Sequence, residues 1–118
     1  MLSSKWSRSF SDNVEFLEEV EDDLAKIDGS LIKQIANVIN KVARNPKPKS
    51  DGGFGKPLRN DESSQLSGYN KIKLVKAGIR IVYKLREEKG NMLVIIIAAR
   101  ADNYVYQQAV KRIKKYNL

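Results

Sequence analysis

The chain has 118 residues, a length that makes one domain with a core of its own. It contains no Cys and no His. That excludes disulfides, Cys/His zinc sites, a Cys nucleophile, and any triad or acid–base pair built on His. The formal charge is +8 and unevenly placed: residues 1–40 carry four basic and eight acidic side chains, residues 41–118 eighteen and six. A basic C-terminal two-thirds points to a polyanionic partner, or to surplus surface lysine on an ordinary globular protein.

In chain order, Trp6–Phe10 reads as a possible first strand at a sheet edge. Residues 11–27 read as a helix capped by Ser11, since Val14, Leu17, Val20, Leu24 and Ile27 are spaced as one apolar stripe. The acidic run from Glu18 to Asp23 fills the other side and reads as a solvated helix face rather than a metal site. Asp28-Gly29 breaks this helix. Ser30 caps the next, whose stripe is Leu31, Ile35, Val38, Ile39 and Val42, and Asn45-Pro46 ends it near Arg44. Residues 11–44 are thus expected to form an antiparallel helical hairpin.

Residues 45–68 hold all three prolines and four of the glycines. A loop so long is usually functional or mobile. After Gly68 the period changes to two. Tyr69–Val75 and Ile79–Leu85 alternate as strands, with a turn at Lys76-Ala77-Gly78. Glu87–Asn91 makes the next turn, and Met92–Ala99 is an apolar run expected to form a strand covered on both faces. Residues 69–100 therefore read as a β-meander. Asp102–Tyr116 reads as a C-terminal helix with Val105, Ala109 and Ile113 on its inner face. The expected class is α+β: an antiparallel sheet of three to four strands, the helical hairpin packed on one face, and a short C-terminal helix, all in a single domain over 1–118. The longest apolar run is too short for a membrane helix and no signal segment is visible, so the expectation is a cytoplasmic protein with no membrane partner.

The pleat sets Lys71, Lys73, Arg80 and Lys84 opposite the Ile72, Leu74, Ile81 and Tyr83 side. If the helices cover the apolar side, a cationic face stays open to solvent. A two-residue turn at Lys76-Ala77 places Lys73 directly opposite Arg80. Like charges so paired cost about 0.2–1 kcal/mol, which an anion between them would relieve. Arg100 extends the patch if it lies at the adjacent strand end. Tyr104 and Tyr106 read either as core anchors or as ring platforms for a base.

Several segments together carry a resemblance. They are Gly55-Lys56-Pro57-Leu58, Leu66-Ser67-Gly68, Lys71-Ile72-Lys73-Leu74, Gly78-Ile79-Arg80-Ile81-Val82-Tyr83, Ala99-Arg100, Val105-Tyr106 and Ala109-Val110-Lys111-Arg112-Ile113. In this order and spacing, over residues 55–113, the chain resembles the RelE/ParE superfamily of type II toxin–antitoxin toxins, and within it the RelE branch. That resemblance implies a ribosome-dependent endoribonuclease that cuts mRNA in the decoding A site, metal-independent and without a cofactor. It implies catalytic roles for Lys71, Lys73, Arg80, Arg100 and Tyr106. It also implies a cognate antitoxin, expected to be acidic and partly disordered. Asn70 and Ile79 stand where aromatics are common, and Asn60–Gln65 looks like an insertion. ParE-type gyrase inhibitors share the fold without the five-residue set. A gyrase inhibitor and a non-catalytic RNA- or ribosome-binding module remain the rival readings.

Overall fold

The computed structural model describes residues 8–58, 66–86 and 90–118. Among the described residues five strands form one sheet: β1 (Val14–Phe16), β2 (Lys56–Pro57), β3 (Tyr69–Leu74), β4 (Ile79–Arg86) and β5 (Asn91–Ala98). Three α-helices accompany them: α1 (Glu19–Ala25), α2 (Ile32–Ala43) and α3 (Asp102–Lys115). The spatial order is β1-β5-β4-β3-β2, with every pair antiparallel except β1 with β5. The class is α+β as expected, but the sheet is mixed and has five strands rather than three or four.

The expected helix over 11–27 is the main correction. Val14-Glu15-Phe16 is a strand, and only Glu19–Ala25 is helical. All five residues of the predicted stripe are buried, so the stripe marks burial correctly and misleads about period. A β-branched residue, a polar one and an aromatic in alternation suit a pleat. Pairing with β5 then decides the conformation, with the Met92 N–H donating to Asn13 O at 3.0 Å and the Leu17 N–H to Val94 O at 3.1 Å. Ser11 caps no helix. Its N–H and Oγ donate to Asn40 Oδ1 on α2 at 2.8 and 3.2 Å. The expected strand over Trp6–Phe10 lies partly outside the described residues, and Arg8–Phe10 form a turn and bend.

A 3₁₀ turn at Gly29–Leu31 joins α1 to α2, and its cap is Asp28 rather than Ser30: Asp28 Oδ1 accepts from the Ser30 N–H at 3.0 Å. On α2, Ile35, Ala36, Ile39, Val42 and Ala43 form the buried stripe. The stretch after it is more ordered than a bare loop. Lys49–Asp51 is a 3₁₀ turn, and Lys56–Pro57 adds β2 to the edge of the sheet beside β3, where a proline is tolerated. Gly55 is required there, since a Cβ would stand 2.4 Å from Tyr83 Oη and 3.0 Å from Asn70 Oδ1. Tyr83 in turn donates to Pro46 O at 2.7 Å, tying the loop to the centre of the sheet. The Asn60–Gln65 stretch and residues 87–89 of the expected turn lie outside the described residues.

Met92–Ile97 of β5 are all buried, as expected of a strand covered on both faces. Each such side chain contributes about 1.5–3 kcal/mol. A register shift between Val82 and Tyr83 marks a bulge in the β4–β5 ladder, which sharpens the local twist. Among the described residues no helix is long and apolar enough to cross a membrane.

Candidate functional site: a cationic sheet face with an internal anion

The β3–β4 hairpin turns through Val75–Gly78, where Gly78 has φ 69° and its N–H donates to Val75 O at 3.2 Å. This turn fixes the register predicted from sequence: Lys73 pairs with Arg80 and Lys71 with Val82. On the other side of β3, Lys56 pairs with Lys71. Two rows of cations result, Lys56–Lys71 and Lys73–Arg80, on one face of the sheet. Lys56 joins the face through an edge strand too short to be read from its sequence.

The face is not open throughout. Val82 and its partner Ile96 are buried on it, and α3, which packs against β4 and β5, begins at Asp102 over the second row. Asp102 Oδ2 accepts from Lys73 Nζ at 3.1 Å, and Asp102 Oδ1 accepts from Arg80 Nε. The like-charged pair is thus relieved by an anion that the chain itself supplies. Burial pushes the Asp102 carboxyl up, but the hydrogen bonds from Lys73 and Arg80 outweigh it and hold the group below its ordinary value. Asp102, Lys73 and Arg80 remain 42, 34 and 29% exposed, so the cluster sits in contact with water.

Arg80 is anchored three ways. Besides Asp102, its Nη1 donates to Arg100 O at 3.0 Å and to Gly78 O at 3.3 Å. Arg100 therefore joins the cluster through its backbone, while its guanidinium lies 4.0 Å from the ring centre of Tyr104 in a cation–π contact. A cleft of about 290 Å³ lies beside Arg100, lined among others by Lys26, Tyr104, Arg112 and Asp23.

Of the five residues expected to act, Lys73 and Arg80 share one cluster and Arg100 reaches it through its carbonyl. Lys71 stands in the adjacent row, and Tyr106 is only 7% exposed, among the core residues. The tyrosine beside Arg100 is Tyr104, which the sequence left undecided between core and platform. Asp102 was read only as the start of a helix. Nothing local marks it, because its partners lie on strands 22 and 29 positions earlier.

A second cluster holds the far part of α3. Arg112 donates to Asp23 through both terminal nitrogens, at 2.6 and 2.8 Å, and to Ile95 O at 3.0 Å, while the Ile97 N–H donates to Asp23 Oδ2 at 3.1 Å. β1 pairs only with Met92–Val94. Beyond its end, side chains of α1 and α3 satisfy the β5 backbone. The acidic run of α1 is therefore not simply a solvated face, as Asp23 is buried.

No protein-family model matches the chain, and no curated protein matches it. Solved structures do. A mutant of the E. coli toxin RelE with two arginines replaced by alanine, in the free state, is 27% identical, with a TM-score of 0.66 over 85% of this chain and 95% of that one. The isolated E. coli RelE toxin is likewise 27% identical, with a TM-score of 0.58 over 85% and 96%. The RelBE2 toxin–antitoxin complex of Mycobacterium tuberculosis is similar in fold at 20% identity, with a TM-score of 0.59 over 75% and 96%. The hairpin register, the α+β layers and these neighbours agree with the ordered segments over residues 55–113, and together they support the RelE/ParE toxin superfamily as the one this chain resembles.

Proposed function

We propose that the protein is the toxin of a type II toxin–antitoxin pair and cleaves mRNA held on the ribosome. The observation that carries this reading is the Lys73–Arg80 register, which sets two cations against one anionic group on a water-exposed face. A phosphodiester has the charge and the paired oxygens to occupy such a position.

The reaction needs no protein nucleophile. The 2′-oxygen of the RNA attacks the adjacent phosphorus, the bond from phosphorus to the 5′-oxygen breaks, and the 2′ proton is exchanged for one on the leaving oxygen. Lys71 or Lys73 takes part in the proton transfers. Arg80 and Arg100 stabilise the charge that builds on the phosphorane oxygens. Arg80 suits the role because two backbone carbonyls hold it in place independently of any ligand. The burial of Tyr106 favours a packing role for its ring over direct contact with a 2′-hydroxyl.

The cluster is exposed and offers little to hold a flexible strand in reacting geometry. That supports a requirement for the ribosome, which would present the mRNA in a fixed conformation. The partner reading is a cognate antitoxin. The neighbouring RelBE and RelBE2 structures are complexes of toxin with antitoxin, and a chain with +8 charge would draw an acidic, partly disordered segment that folds on binding. A metal-independent reaction in the cytoplasm completes the proposal.

The test is cleavage of a defined mRNA by purified protein with and without ribosomes. Cleavage only with ribosomes supports the whole reading. Binding without cleavage would move the protein to the non-catalytic alternative, for which the burial of Tyr106 and the presence of Asp102 at the cations already speak. Inhibition of gyrase without RNA cleavage would move it to the other branch of the superfamily.

A further inference from the structure

Asp102 is the one acidic residue between Gly90 and Leu118, and it lands on the two facing cations of the sheet. Its carboxylate meets Lys73 with one oxygen and Arg80 with the other, as two oxygens of a phosphodiester would. It reaches them from α3, whereas the cations belong to β3 and β4. The anion can therefore leave without unpairing the strands that carry its partners. Arg80 would stay aimed at the vacated position, because its bonds to Arg100 O and Gly78 O are made to backbone.

We propose that Asp102 holds the place of an RNA phosphate in the free protein, and that RNA binds at Lys73 and Arg80 only by displacing it. This rests on the reading of the face as an RNA site. Three observations carry it: the two-pronged contact, the exposure of all three partners, and the origin of the anion on a separate element. Ion pairs this exposed are weak and exchangeable. A phosphodiester brings one negative charge, as Asp102 does, so the exchange leaves the net charge at the facing cations unchanged.

The experiment measures binding of a single-stranded oligonucleotide built from 2′-O-methyl nucleotides, which lacks the attacking hydroxyl and cannot be cut. Asp102→Asn keeps the shape and removes the charge. It should bind about two- to thirtyfold more tightly than the native protein, the range set by two exposed ion pairs. Asp102→Ser should act in the same direction, and Lys73→Ala and Arg80→Ala should bind more weakly. Asp22→Asn, which makes the same charge change at an exposed position of α1, separates displacement from a general gain in positive charge. A gain as large in Asp22→Asn overturns the proposal. So does an unchanged or weaker affinity in Asp102→Asn while Lys73→Ala and Arg80→Ala lose affinity. In that case Asp102 clamps α3 and the RNA reading stands. If Lys73→Ala and Arg80→Ala bind as the native protein does, the RNA reading itself fails and takes the displacement with it. Melting curves of each variant establish that it is folded.

Discussion

Asp23 and Asp102 each take hydrogen bonds from an arginine, and the two clusters lie on either part of the same helix. Asp23 and Arg112 are 8 and 16% exposed and hold each other by two bonds, with one more to Asp23 from the Ile97 N–H and one more from Arg112 to Ile95 O. Burial alone would lower the affinity of Arg112 for its proton, but its hydrogen bonds to Asp23 more than restore it. Asp102 and its cations keep water on one side. The difference teaches what burial does to one kind of chemistry. A buried pair is a joint, since removing either member strands a charge away from water. An exposed pair is an exchangeable contact, since either member can be solvated when the other leaves.

The largest expected effect breaks the joint. Arg112→Ala leaves Asp23 buried and unpaired and should cost about 3–5 kcal/mol in a denaturant titration. A loss below about 1 kcal/mol would mean the joint behaves like a surface pair. Arg80→Ala and Arg100→Ala should divide the other way. They should lower cleavage of ribosome-bound mRNA by about 10²–10³-fold while changing stability by about 1 kcal/mol or less. Near-native cleavage by folded variants would leave a basic face without catalysis. Tyr106→Phe keeps the buried ring and should lower cleavage by far less than the about 10²-fold minimum supplied by general acid–base catalysis. A larger loss would return the hydroxyl to the reaction.

The smallest effect concerns pH. The Asp102 carboxyl is held below its ordinary value by Lys73 and Arg80, and Glu19 below its own by Tyr116 and Lys115, in both cases against the opposing pull of desolvation. A lowered folded-state value means the stabilisation is complete above the unfolded value, near 4, and fades as pH falls through the lower folded one. A carbon-detected titration should place the Asp102 midpoint below that of a free aspartate, and Lys73→Ala should raise it. High salt should weaken the Asp102 cluster well before it affects Arg112.

How much of this could be read in the chain depends on where each signal resides. Strands β3 and β4, the turn at Lys76-Ala77 and the pairing of Lys73 with Arg80 follow from local alternation and a glycine that adopts φ 69°. The stripe of α2 and the inner face of α3 are equally local. β1 hides inside a helix-like stripe because a three-residue strand has too little sequence to show a period and takes its conformation from a distant partner. β2 was missed because Pro57 argues against a strand except at an edge, and sequence does not show edges. The candidate site divides the same way. The strand cations were legible from the pleat and Arg100 from its place just past β5, whereas the role of Tyr106 came only from resemblance and its side chain lies in the core. Asp102 became visible only once α3 was placed over β3 and β4.

The pairing of β1 with β5 has a consequence for how the molecule forms. Val14 and Met92 are partners 78 positions apart, so closing this edge of the sheet requires a long loop to be ordered first. Contacts of such separation slow folding. Residues 14–25 gain their sheet pairing and the Asp23 joint only after β5 and α3 exist. On a translating ribosome residues 14–25 must therefore wait until β5 and α3 have been made. The cationic face takes Asp102 and Arg100 from the same late segment, so it too is completed only once that segment has been made.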